Sequence, residues 1–246
     1  MAVRIDAANM HYRELNARIR EAVAAGEKKL ELVHVNGQRY LADGISGEIT
    51  LDIHGVPGND LGAFMDGPTI RVHGNAQDGV GNTMNAGRII VHGHAGDVLG
   101  YGMRGGEVFV RGPVGYRVGI HMKAFRDRRP VVIAGGVAGD FLGEYMAGGL
   151  VIVLGLGQKG KARYRAHHIG TGMHGGLIFL RGEVEEHQLG NEVNIEPAGE
   201  EDIAFIRPYV EEYVGYFGGS VEDILGSGFL KLSAKSHRPF GGLYAY

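Results

Sequence analysis

The chain has no cysteine, so it can supply no disulfide, no cysteine-ligated iron–sulfur or zinc site and no cysteine nucleophile. No run approaches the roughly 18 apolar residues that span a bilayer, and residues 1–10 lack the charged and apolar regions of a signal peptide. A cytoplasmic protein with no membrane association is the expectation. Neither sign of charge dominates: 25 Lys and Arg stand against 28 Asp and Glu, so no global field favours nucleic acid. Proline is scarce, with 7 residues, and no G-X-Y period suggests collagen.

What is abundant is glycine. Its 44 residues in 246 are well over twice the usual frequency of about 7%, and 44% hydrophobic content is enough for a sizeable core. Short apolar strands end in a residue-plus-glycine pair at His54-Gly55, His73-Gly74, His92-Gly93 and Arg111-Gly112, each glycine 19 residues after the last. The phase continues at Gly136, Gly155 and Gly182, the intervals stretched to 24, 19 and 27 by insertions around 123–129 and 158–168. Such insertions map to loops on one face of a repeat array.

A second glycine follows seven residues later (Gly62, Gly81, Gly100, Gly119, Gly143, with Gly170 in the same place), and a methionine three residues after each: Met65, Met84, Met103, Met122, Met146 and Met173. The methionines read as core filling, since a flexible thioether suits irregular gaps inside a coil. Further glycines (Gly87, Gly106, Gly149, Gly176) precede new apolar runs, which predicts two or three short strands per coil joined at glycine corners. The fold class expected is all-β: a right-handed parallel β-helix of about 19 residues per coil. It spans 49–182, with an N-terminal α/β cap over 1–48 and a C-terminal helical segment and tail over 183–246. In the cap, His11–Ala24 has helical spacing and Lys29–Val35 reads as a strand. In the tail, Glu201–Tyr216 and Val221–Leu225 read as helices, before an aromatic end from Ser236 to Tyr246 fit to lie on a partner or on the chain's own caps.

Several patterns invite a chemical reading. A strand followed by Gly155-Leu-Gly157-Gln-Lys-Gly160 begins like a dinucleotide fingerprint, but Gly155 is in phase with the solenoid and no βαβ unit surrounds it. The same loop, 158–168, is the most basic stretch of the chain, with Lys159, Lys161, Arg163, Arg165, His167 and His168, and either is simply solvated or meets an anion or a partner. His54, His73 and His92 should stack in a column at the inter-strand spacing of about 4.8 Å, continued in phase by Arg111 and Arg181; side chains in a ladder point in parallel and do not converge on a metal. His121, His167 and His168 read as isolated loop residues. Asp78, Asp97 and Asp140 fit turn-forming hydrogen bonds better than acid–base catalysis, and no nucleophile elbow is present. No catalytic, cofactor-binding or metal-binding residue is assigned.

The coil pattern, in segments such as 93–107 and 136–149, resembles the GXGXG domain found at the carboxyl end of the glutamate synthase large subunit and in the C-type β-helical component of formylmethanofuran dehydrogenase. The helical end, with Glu201–Tyr216, Val221–Leu225 and Phe229-Leu-Lys-Leu, looks like the glutamate synthase version. That resemblance implies a non-catalytic structural subunit of a glutamate synthase-like complex making glutamate or N-methylglutamate from glutamine, in nitrogen metabolism. Its partners would be a glutamine amidotransferase subunit and an FMN-binding glutamate synthase subunit, with FMN and iron–sulfur clusters on those partners and none in this chain. A homo-oligomer is compatible with it. The alternatives are a subunit of a formylmethanofuran dehydrogenase or formyltransferase/hydrolase complex, and a self-sufficient enzyme with a groove between the solenoid and its terminal helices.

Overall fold

The structure, a computed structural model, describes residues 2–158 and 164–237. Seven strands carry the repeat: β3 (Thr50–Val56), β4 (Asp66–Val72), β5 (Ala86–Val91), β6 (Glu107–Val110), β7 (Val131–Ala134), β8 (Ala147–Val153) and β9 (Gly175–Leu180). Each pairs in parallel with the next. Thr50 stands opposite Thr69, then Arg88, Glu107, Val131, Leu150 and Leu177 follow in turn, giving steps of 19, 19, 19, 24, 19 and 27 residues. These are the glycine intervals of the sequence, so the two insertions lengthen loops and leave the register intact.

The parallel sheet also continues before β3. Strand β2 (Lys29–Asn36) pairs with β3, and β1 (Val3–Asp6) pairs with β2, both in parallel. Helix α1 (Tyr12–Ala24) lies in that first crossover, capped by His11, whose ring accepts from the Arg13 N–H, and buries Leu15 and Ile19 in the same cluster as the solenoid lumen. At the other end β10 (Val193–Pro197), α2 (Glu200–Phe217), α3 (Val221–Leu225) and β11 (Leu230–Ala234) close the chain. Strand β11 pairs antiparallel with β9, and β10 with β11, completing an eleven-stranded sheet.

Each coil contributes one named strand to this sheet, where the glycine pattern suggests two or three. The opposite side of the coil is built from turns, and its backbone explains the difference. Residues five, seven and nine after Gly55, Gly74, Gly93, Gly112 and Gly136 have left-handed φ (Asp60, Gly62 and Phe64 in the first of these coils, Arg117, Gly119 and His121 in the fourth), and His168, Gly170 and Gly172 take the same places after the longer insertion. Such φ values are not those of a β-strand. The turns nevertheless bond from coil to coil, as in Phe64 N–H to Asn82 C=O (2.9 Å) and Gly81 N–H to Leu61 C=O (2.9 Å).

The three left-handed positions differ in what they face. The seventh points inward: a Cβ on Gly143 would stand 2.4 Å from Ile178 Cδ1, and one on Gly170 2.3 Å from Val193 Cγ2, so glycine is required there for space as well as for φ. The fifth and ninth carry side chains outward. All six repeat methionines are fully buried in the lumen with Val80, Leu99, Val118 and the inward strand residues.

Outside the sheet, one ladder of residues changes character along the axis. Arg4, Glu31, Asp52 and Arg71 give way to Ile90, Phe109, Ile133, Ile152 and Phe179. The apolar part forms a second core with Ile206, Val210 and Tyr213 of α2 and Ile224 and Leu225 of α3. The terminal helices thus cover the outer face of β5–β9 and leave that of β2–β4 to its charged side chains. Among the described residues no helix is long and apolar enough to cross a membrane.

Candidate functional site

The histidine column forms as a stack. His54 and His73 rings lie 4.5 Å apart and 10° from parallel, and His73 and His92 5.5 Å apart and 12° from parallel. His54 leans on Glu31 (3.5 Å) and His73 on Asp52 (3.3 Å), whereas His92 meets the edge of Phe217 at the end of α2. Burial, then the neighbouring His73, Arg111 and Arg71, hold the His92 pKa below the usual imidazole range. Among the described residues no group of three or more His, Asp or Glu is placed to hold a metal ion. In this phase the column is interrupted after Arg111 by Gly135, whose missing side chain is replaced by the Tyr213 phenol: a Cβ there would fall on the Tyr213 hydroxyl, which donates to the Arg111 carbonyl at 3.0 Å. Burial pushes the Tyr213 pKa up to about 12.

The aspartates staple coils together rather than closing their own turns. Asp78 accepts from the Asp97 N–H (2.9 Å), Asp97 from the Tyr116 N–H (2.8 Å) and Asp140 from the His167 N–H (2.9 Å), each one coil further on. In the glycine-rich loop, Gly155 and Gly157 both have positive φ, and Leu154 and Gly155 bond back to the preceding coil as solenoid residues; Gly160, Lys159, Lys161 and Arg163 lie outside the described residues. So does the tail from 238 to 246. Arg165 and His167, from the same basic loop, line a cleft of about 840 Å³ beside Tyr116, Asp140, Glu183 and Glu185. The polar groups of its floor are engaged: Gln188 donates to the Tyr164 and Ala166 carbonyls (2.7 Å each), and the Tyr164 hydroxyl, its pKa raised by burial, reaches the Arg181 carbonyl at 3.1 Å.

The three histidines expected to stand alone in loops do not. His121 stacks on Tyr145 (5.4 Å, 8°) and meets the edge of Tyr101 (5.8 Å); His168 stacks on Phe141 (4.8 Å, 13°), and Arg117 lies over the other side of Phe141 at 4.5 Å. His167 pairs with Asp140 and nears His187. The turn side of the solenoid therefore carries two files of rings on its outer surface, tied together by the Arg117–Glu144 ion pair at 3.1 Å. Phe64 extends the surface at the ninth-position phase. Beyond the histidines, Phe64, Phe141 and Tyr145 carry no signal of their own in the sequence, because they stand in phases that hold Gly79, Gly102 and Gly172 in other coils.

The arrangement is a stack of hydrogen-bonded coils with an aromatic outer flank. The uncharacterized protein MJ1350 of Methanocaldococcus jannaschii is 51% identical over 249 residues, which is 98% of this chain and 95% of that protein. Among solved structures, a chain of the formyltransferase/hydrolase complex FhcABCD from Methylorubrum extorquens, determined with methylofuran, shares the fold at a TM-score of 0.64 and 20% identity. The likeness covers 93% of this chain and 89% of that one. The GXGXG motif profile matches residues 21–234, so the chain belongs to the GXGXG family.

Proposed function

We propose that this protein is a structural subunit of a multi-subunit enzyme, in a glutamate synthase-like assembly that uses glutamine to make glutamate or N-methylglutamate. The observation that carries the reading is the way the solenoid is closed. Helices α2 and α3 cover the outer face of β5–β9, and β11 adds itself to β9, the ending that resembles the glutamate synthase branch of the family. A partner supplies glutaminase chemistry and another binds FMN and iron–sulfur clusters; this chain holds them in register. Its rigidity suits that task, since each coil is hydrogen-bonded to the next on two sides.

A second setting has its own support. The fold likeness to a chain of the FhcABCD complex favours a place in a formyltransferase/hydrolase assembly. One preparation separates the two. The affinity-tagged chain, purified from its source cells, is expected to bring down a flavin-containing subunit and a glutaminase and to form glutamate from glutamine and 2-oxoglutarate with a reduced electron donor. Recovery with formyl-transferring subunits instead would move the protein to the second setting. A chain that turns over substrate alone would sink both.

A further inference from the structure

The left-handed columns on the turn side contain a conflict that the fold by itself does not explain. At the fifth and ninth positions the backbone has positive φ in every coil, and glycine adopts that conformation freely, as Gly79, Gly102 and Gly172 do. Other coils put Asp60, Thr83, Val98 and Arg117 there, and six rings, Tyr40, Phe64, His121, Phe141, Tyr145 and His168, the rings at φ between 51° and 62°. Histidine tolerates this region better than most residues, but bulky Phe and Tyr are strained there. Their side chains do not repay the strain by filling the core, because they face outward: Phe64 is 54% exposed and Tyr145 38%. Strained backbone that persists where a freer residue would serve points to function.

The chemistry of the flank says what it meets. Two ring files are edged by Arg104 and Lys123, which follow the repeat methionines in adjacent coils and stand one above the other, and by Arg126, which lies over the exposed Phe125 ring at 5.1 Å. Among the described residues, none of these three cations forms an ion pair. Exposed Tyr and Phe with Arg on one flank are residue types enriched in protein interfaces. Exposed rings bordered by cations without ion pairs are complemented by a facing surface of carboxylates and apolar groups.

We infer that the turn-side flank, with Phe64, Tyr101, His121 and Tyr145 at its centre and Arg104 and Lys123 at its edge, is the docking surface for a partner subunit that presents acidic and apolar side chains. The inference rests on the reading of the protein as a member of a multi-subunit enzyme and names the face that does the binding. It is tested on the assembly purified with the tagged chain, in two ways. Carbodiimide coupling followed by mass spectrometry should join Lys123 to carboxylates of another subunit. A variant carrying Phe64→Gly, His121→Gly and Tyr145→Gly should keep or raise its Tm, since strain is relieved, while its affinity for the partner falls by at least about tenfold.

Each outcome decides. Cross-links from Lys123 to a partner, together with a stable variant that no longer assembles, support the docking surface. An assembly that survives the triple substitution, with Lys123 uncoupled, overturns the surface and leaves the subunit reading standing. Lys123 joined to a second copy overturns the hetero-partner. A chain that leaves its source cells as a free monomer overturns both readings. If the triple variant folds poorly, the coupling result on the unaltered assembly settles the matter.

Discussion

Asp78 and Gly96 show how little freedom one residue has inside this repeat. The Asp78 carboxylate accepts from the Asp97 N–H, and a Cβ on Gly96 would sit 2.0 Å from the same Oδ1, while its next neighbour is 3.1 Å away. Gly96→Ala should therefore expel the carboxylate and cost about 1–3 kcal/mol, the worth of a hydrogen bond to a charged acceptor. In an Asp78→Ala background the same substitution should cost much less, because the obstructing atom is gone. Urea unfolding of the four proteins of this double-mutant cycle measures the coupling; additive effects would show that Gly96 serves the backbone alone.

His92 makes the residue-scale case for pH. Its folded pKa lies below the ordinary imidazole value, held there by burial and by His73, Arg111 and Arg71, with Phe217 of α2 against its edge. Between that depressed pKa and about 6.5 the unfolded chain binds the proton more readily, so stability rises with pH through this window and is lost as pH falls below about 6.5. Thermal melts at pH 5 and pH 7.5 should differ more for the unaltered protein than for His92→Gln. Equal pH dependence of the two would assign the acid sensitivity elsewhere.

At the scale of elements, the strands and their register were legible in the glycine spacing because a parallel coil must return to the same phase, and Gly55, Gly74, Gly93 and Gly112 mark where it does. The turn side was not. Its left-handed backbone is hidden wherever Phe64, His121 or Tyr145 stands in place of glycine, and a pattern reader sees corners and supplies extra strands. The cover on the sheet does leave a trace in the strands: Thr50-Leu-Asp-Ile53 alternates, whereas Val131–Ala134 and Leu150–Leu154 are apolar on both faces, the mark of a strand buried twice. What buries it is α2, and Tyr213 is its anchor. Tyr213→Phe removes only the bond to the Arg111 carbonyl and should cost about 1 kcal/mol. Tyr213→Ala also empties the site over Gly135 and should cost about 3–5 kcal/mol, with α2 opening to limited proteolysis at its exposed face. Equal effects of the two would mean that the ring contributes no packing there.

Across the whole molecule, a solenoid has no single centre: each coil touches its neighbours, and stability is close to a sum of coil and interface terms. Helix α2 breaks that uniformity. It runs across the outer face from Phe179 on β9, which it meets through Phe205, to His92 beyond β5, which it meets through Phe217, and so joins five coils into one unit with apolar cores on both sides of the sheet. Among the described residues, strands β2–β4 pack on the lumen alone, and the outer rungs Glu31, Asp52 and Arg71 have no such apolar cover. Local opening takes the least free energy where the fewest apolar contacts must break. Native-state hydrogen exchange should thus show β5–β9 exchanging together and most slowly, with β2–β4 opening earlier even though their hydrogen bonds are the same in kind. Tyr213→Ala should erase the difference by lowering protection in β5–β9 toward that of β2–β4. Protection that is uniform along the axis, or that follows distance from the two ends regardless of the helix, would show that α2 rests on the solenoid without binding its coils together.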